Sequence, residues 1–202
     1  MEGVAAAGAA TRRMLARRGI TLEYLTLGWN VVGTAVSILA ALAAGSVALA
    51  GFGLDSLIEI GASIVVIWQL HQRDSTRERR ALRLIGIAFI ALALYIAGQA
   101  ADTLITTSRP HDSVLGIAWL AVTVVVMFAL AAGKRDTGRR LGNPVLLTEA
   151  RVTIIDGALA AAVLLGVVLN AAAGWWWADP LSALMILVYG LREARHAWLE
   201  AG

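Results

Sequence analysis

A chain of 202 residues that is 59% hydrophobic and only 15% charged falls well below the charged content of water-soluble domains, and the class it fits is a membrane protein. It has no cysteine, which excludes a disulfide framework, a thiolate metal site and a cysteine nucleophile. Its net charge of +3 resides mainly in the segments between apolar runs, where basic residues set topology and meet anionic lipid, so nucleic acid is not an expected partner.

The first 20 residues read as a basic amino-terminal arm carrying Arg12, Arg13, Arg17 and Arg18, either flexible or a short helix on the membrane surface. Residues 21–202 read as one membrane domain. Within it, six apolar runs lie near residues 24–43, 48–71, 84–105, 114–133, 145–173 and 180–199. Each can cross about 30 Å of hydrocarbon at about 1.5 Å per residue. The expected fold is therefore an all-α membrane protein with six transmembrane helices. The first run ends in "ALAAG" ahead of Ser46, like a signal-peptide processing site. Its length exceeds the roughly 7–15 residues of a signal-peptide core, which favours a retained span.

Basic residues recur on alternate sides of these runs. Arg73, Arg77, Arg79, Arg80 and Arg83 follow the second; Lys134, Arg135, Arg139 and Arg140 follow the fourth; Arg192 and Arg195 close the sixth. The opposite side carries Arg109, while Arg151 lies near the start of the fifth run. Arginine and lysine are retained on the cytoplasmic side, so both termini are expected there. The Trp175–Trp177 trio beside Asp179 and Pro180 marks the outer interface, where aromatic rings anchor helices at headgroup level. Asp179 reads as the cap of the sixth helix. His71, His111 and His196 sit at span ends or in loops, so interfacial or solvated roles are expected for them.

The chemistry is concentrated in acids inside the apolar runs: Asp55, Glu59, Asp102 and Asp156. An ionised side chain near mid-bilayer costs about 2.5–3.5 kcal/mol on insertion scales, so such groups are expected to face the bundle interior and to be compensated. Asp55 and Glu59 are four residues apart and project from one helix face about 6 Å apart. Two such charges cannot both be ionised cheaply in a low dielectric, and a divalent cation or a proton removes the difficulty. Glu59 is twelve residues from His71 and Asp156 twelve from Pro144, which places both about 18 Å from the cytoplasmic ends of their helices. Asp55, Glu59 and Asp156 are therefore the candidate cation ligands. Glu149 lies on the cytoplasmic approach below Asp156; Asp102, near the outer end of the third run with Gln99 and Thr103, lines the exit or makes a structural hydrogen bond; and Asn30 lies in the first run as helix-packing glue or an accessory ligand. The chain has no phosphate-cradling glycine loop ending in Lys-Ser or Lys-Thr, and neither enzymatic chemistry nor a tightly bound cofactor is expected.

"GSVALAGFGLDSLIEIGAS" (45–63) resembles the second transmembrane helix of cation diffusion facilitators, with Asp55 and Glu59 at its two ligand positions. "TEARVTIIDGALAAAVLLGVVLN" (148–170) resembles their fifth helix, with Asp156 at its second ligand position. "WWWADPLSALMILVYGLREA" (175–194) resembles their sixth, with its opening Asp-Pro. The resemblance covers about residues 22–200. It departs at Val152, where the family usually supplies His or Asp, and it includes no counterpart of the cytoplasmic carboxy-terminal domain that many members use for dimerisation and metal sensing.

The resemblance implies efflux of a divalent metal cation by alternating access, with protons as counter-ion. An all-oxygen ligand set suits Mn²⁺ or Mg²⁺ and accepts Fe²⁺; Zn²⁺ takes carboxylates but usually has nitrogen or sulfur in its shell. Small residues along the spans permit close packing within one chain or between two copies in a homodimer. The arginine-rich, Ala/Gly/Val-rich composition suits a bacterial inner (plasma) membrane. Two other readings stand beside transport of a metal: a non-transporting membrane partner or scaffold of the same fold, and a small proton-coupled exporter of organic cations.

Overall fold

In hydrocarbon every backbone N–H and C=O must find its partner within the chain, and a continuous apolar run does so as a helix. The computed structural model describes residues 2–71 and 75–200, with side chains described for 10–61, 83–143, 146–147 and 149–199. The elements are α1 (Glu2–Ala44), α2 (Val47–His71), α3 (Ser75–Thr106), α4 (Val114–Leu141), α5 (Pro144–Ala173) and α6 (Ala178–Glu200). No strand occurs among the described residues. The prolines respect this pattern. Pro144 opens α5, Pro180 lies in the first turn of α6, and Pro110 lies between α3 and α4, all positions where the missing N–H costs little.

Among the described residues, four segments are long and apolar enough to cross a membrane: Ala10–Ala44, Arg83–Thr106, Val114–Leu141 and Glu149–Ala173. The side chains of α2 are described only as far as Gly61, and the second half of α6 is diluted by Arg192, Glu193, Arg195 and His196. The outer surface is apolar. Leu42 is 78% exposed, Ile105 81% and Val125 69%, which is the surface a bundle presents to lipid rather than to water.

Inside, Leu49, Phe52, Ile96, Leu120, Val163 and Ile186 form one buried cluster. α4 packs chiefly on α5 and α3 on α6, while α2 runs through the middle against α1, α3, α5 and α6. Gly166 shows how close two of these helices come. A Cβ there would lie 2.8 Å from the Ala178 carbonyl oxygen of α6 and would run into the Ser182 side chain.

The bundle has two distinct polar ends. At one, the Asp179 carboxylate of α6 accepts from Ser46 Oγ (2.5 Å), Val47 N (3.0 Å) and Ala48 N (3.3 Å). Ser46 Oγ in turn accepts from Leu49 N at 3.1 Å. The acid expected to cap its own helix thus serves α2, whose free N–H groups and dipole attract a carboxylate. At the same end His111 N donates to Ala44 O (2.8 Å) and Asn170 Nδ2 to Pro110 O (3.0 Å). At the other end Arg18 Nη1 reaches Asp136 Oδ2 at 3.2 Å, joining α1 to α4.

Several helix ends lie beyond the apolar runs. From Glu2 on, the expected arm forms the start of α1 without a break; among the residues whose side chains are described, Leu15 is buried and Gly19 faces Leu146 of α5. No proline stands between Thr11 and Leu25, and neither the polar residues there nor Gly19 ends the helix. α3 likewise starts at Ser75, ahead of its apolar run. The segment from Lys134 to Arg140, expected as a loop, forms the last turns of α4. Arg140 Nε pairs with Asp136 Oδ1 four residues earlier at 2.9 Å. The stop comes at Gly142, whose φ of 60° and ψ of 35° form a left-handed cap with N–H bonds to the Arg139 and Gly138 carbonyls, a conformation that favours glycine. Arg73 and the side chains of His71, Arg77, Arg79 and Arg80 lie outside the described residues.

Candidate functional site

Asp55 and Glu59 lie on successive turns of α2, where the four-residue spacing puts both on the face toward α5 and α6. Asp55 is 3% exposed and Asp156 of α5 is 8% exposed, while Glu59 is partly buried. Glu59 Oε1 accepts from Tyr189 Oη of α6 at 3.3 Å. The carboxyl groups of Glu59 and Asp156 lie near enough for each to act on the other. Two carboxylates that close in a low dielectric are not both ionised cheaply unless a proton or a cation joins them. Asp55 Oδ1 and Asp156 Oδ1 are buried without a hydrogen-bond partner. Most buried polar atoms are satisfied, so two orphaned carboxylate oxygens in one region stand out.

Sequence reasoning missed the contribution of α6. Tyr189 and Glu193 are four residues apart on that helix, with Ile186, fully buried, on the same face. Glu193 is close enough for its charge to act on both Asp55 and Asp156. The spacing from Ile186 to Tyr189 to Glu193 was the available signal. The arrangement is nevertheless looser than a finished metal shell: among the described residues no three His, Asp or Glu side chains close into a metal-ligating cluster. Val152, one turn before Asp156, is partly buried and offers no donor.

The remaining candidates separate. Asp102 is exposed, one turn from the end of α3 at Thr106, where headgroup water can reach it. Asn30 is partly buried on α1, next to Trp29, whose ring stacks on Trp119 of α4 at 4.8 Å. Glu149 belongs to a second polar cluster. There Lys134 Nζ donates to Glu23 Oε2 at 2.9 Å and to Thr153 Oγ1 at 3.1 Å, with Glu149 Oε2 at 4.0 Å. Lys134 was expected in a loop, yet its side chain has 0% exposure. The correction follows from the continuation of α4: the lysine falls on the face toward α1 and α5, and acids on both helices receive it.

Comparison with known proteins places this geometry in context. Residues 83–201 match the cation efflux transmembrane domain model, which takes in α3 through α6 apart from the start of α3. An uncharacterized transporter of Synechocystis sp., sll1263, is 26% identical over 182 residues, 85% of this chain and 59% of the relative. The cation-efflux pump FieF of Escherichia fergusonii is 29% identical over 168 residues, 78% of this chain and 56% of the relative. FieF of Shewanella oneidensis is 27% identical over 165 residues, covering 76% and 55%. The chain thus spans between 55% and 59% of the length of these relatives, and the alignments with them are long enough to include residues ahead of the family match. With more than half of its residues matched by the family model, the chain belongs to the cation efflux transmembrane domain family.

Proposed function

We propose that this protein is a divalent metal cation efflux transporter that exchanges the ion for protons through Asp55, Glu59 and Asp156. The observation that carries the reading is the pair of buried carboxylates from different helices, Asp55 and Asp156, each with an oxygen lacking a partner, with Glu59 one turn from Asp55 on the same helix face. With all three groups ionised the empty site carries a charge of −3, and a divalent ion brings it to −1. Protonation of one or two groups neutralises the same oxygens, so metal and proton compete and no additional proton carrier is needed. Oxygen donors suit Mn²⁺, Mg²⁺ or Fe²⁺ better than Zn²⁺. Water, or Glu149, Asn30 or Glu193 after a helix shift, supplies the donor that Val152 does not.

Six crossings, an even number, would leave both termini on one side of the membrane. The arginines expected on that side, Arg12, Arg13, Arg17, Arg18, Arg139, Arg140, Arg192 and Arg195, support a cytoplasmic assignment. The bacterial relatives fit a bacterial inner membrane.

The decisive experiment is calorimetric titration of the purified protein with Mn²⁺, Fe²⁺, Zn²⁺ and Mg²⁺, repeated for Asp156→Ala. At least one ion is expected to bind with a Kd on the order of micromolar. Binding that Asp156→Ala leaves untouched would remove the proposed site. A second reading, a non-transporting membrane partner of the same fold, draws support from Val152 and from the looseness of the carboxylate group. Metal accumulation in cells expressing the wild type against Asp55→Ala separates the two: equal accumulation favours the partner.

A further inference from the structure

A lysine with 0% exposure is costly unless its charge is met. Lys134 is met from two directions, by Glu23 of α1 at 2.9 Å and by Thr153 of α5 at 3.1 Å, with Glu149 at 4.0 Å. Thr153 Oγ1 donates its own proton to the Glu149 carbonyl at 2.9 Å, which leaves a lone pair for the ammonium. Glu23 and Glu149 keep 39% and 46% side-chain exposure. The lysine is thus enclosed, while both acids keep part of their side chains at the protein surface.

Its position gives it a further role. Thr153 and Asp156 are three residues apart on α5, so their side chains are neighbours, with Cβ atoms about 5–6 Å apart. The Lys134 ammonium, bonded to Thr153, thus lies close to a carboxylate assigned to the cation site.

We propose that Lys134 is a fixed counter-charge of that site: its ammonium, held by Glu23, Glu149 and Thr153, opposes an incoming divalent ion and so sets the affinity of the carboxylates on α2 and α5. This rests on the reading of Asp55, Glu59 and Asp156 as a cation site. An exporter must release what it binds, and a positive charge near a strongly anionic site keeps the bound ion from being trapped. A purely structural lysine would tie α1, α4 and α5 together, and its loss would loosen the site. The two roles predict opposite signs.

The test is calorimetric titration of the detergent-purified full chain with Mn²⁺ in wild type, Lys134→Gln and Lys134→Arg. Glutamine keeps a hydrogen-bond donor and removes the charge; arginine keeps the charge. A unit charge about 10 Å from a divalent ion in a protein interior changes affinity by at least about tenfold. Lys134→Gln is therefore expected to tighten Mn²⁺ binding by at least about tenfold, with Lys134→Arg within about twofold of wild type. Unchanged or weaker binding by Lys134→Gln, in protein that elutes as the wild type does, overturns the proposal. Should Lys134→Gln fail to give monodisperse protein, Glu23→Gln decides. It removes a negative partner of the lysine and is expected to weaken Mn²⁺ binding about threefold or more; unchanged binding overturns the proposal. A wild type that binds no Mn²⁺, Fe²⁺, Zn²⁺ or Mg²⁺ sinks the cation site itself and this inference with it, whereas wild-type binding with an indifferent Lys134→Gln sinks only the inference.

Discussion

Replacing Asp179 with alanine tests the join between α6 and α2. The carboxylate is 1% exposed and accepts from Ser46 Oγ at 2.5 Å, Val47 N at 3.0 Å and Ala48 N at 3.3 Å. Hydrogen bonds to a charged group contribute about 1.5–3 kcal/mol each, and a donor left buried without a partner costs about 1–3 kcal/mol. The contact to Ala48 is long and the three act as a unit, so their sum overstates the effect; relief from burying a charge offsets part of it. A net loss of about 3 kcal/mol is expected, which corresponds to a melting temperature lower by about 6–12 °C for a chain of this size. Thermal unfolding in detergent, followed by circular dichroism, measures it. Asp179→Asn retains one acceptor oxygen and should fall between the two. An alanine variant that melts within about 2 °C of wild type would refute the argument, because an equivalent cap would then have to exist elsewhere.

Other substitutions probe the site and the packing. Val152→Asp places a donor one turn before Asp156 and is expected to tighten divalent binding by about tenfold; Val152→His should shift preference toward Zn²⁺, both read by calorimetry. Because protons and metal share the same oxygens, wild-type affinity for the bound ion should fall as pH is lowered from about 7.5 to about 5.5. Gly166→Ala, set against Ser182 and the Ala178 carbonyl, should cost about 1–3 kcal/mol in thermal unfolding. Breaking the exposed Arg18–Asp136 pair with Asp136→Asn should change stability by less than about 1 kcal/mol.

The apolar runs were legible because a bilayer imposes a minimum length, and each of the six expected runs lies within one helix. Hydropathy reports where lipid begins, however, and not where a backbone stops coiling. α4 therefore outruns its expected end by eight residues, from 133 to 141, on the strength of an Asp136–Arg140 pair and a glycine stop. The acids on α2 and α5 stood out because charge is rare in such surroundings. Their neighbours Tyr189 and Glu193 did not, since an aromatic and an acid near a basic helix end look ordinary until the helix is docked. The Lys134–Glu23 contact joins residues 111 positions apart, and no periodicity within a helix reports a partner on another. Asp179 was read as a local cap for the same reason: its position suggested its own helix, while the folded chain delivers it to the start of α2.

The length of α1 carries a mechanical consequence. A helix running from Glu2 to Ala44 extends for about 64 Å, roughly twice the thickness of the oily layer it enters. Rocking such a rod by about 10° around a pivot at mid-length would sweep its tip through about 6 Å and Arg12 through about 3 Å. A spectroscopic probe fixed near Arg12 would therefore act as the long hand of a dial, magnifying displacements among the packed helices that are too small to follow where they originate.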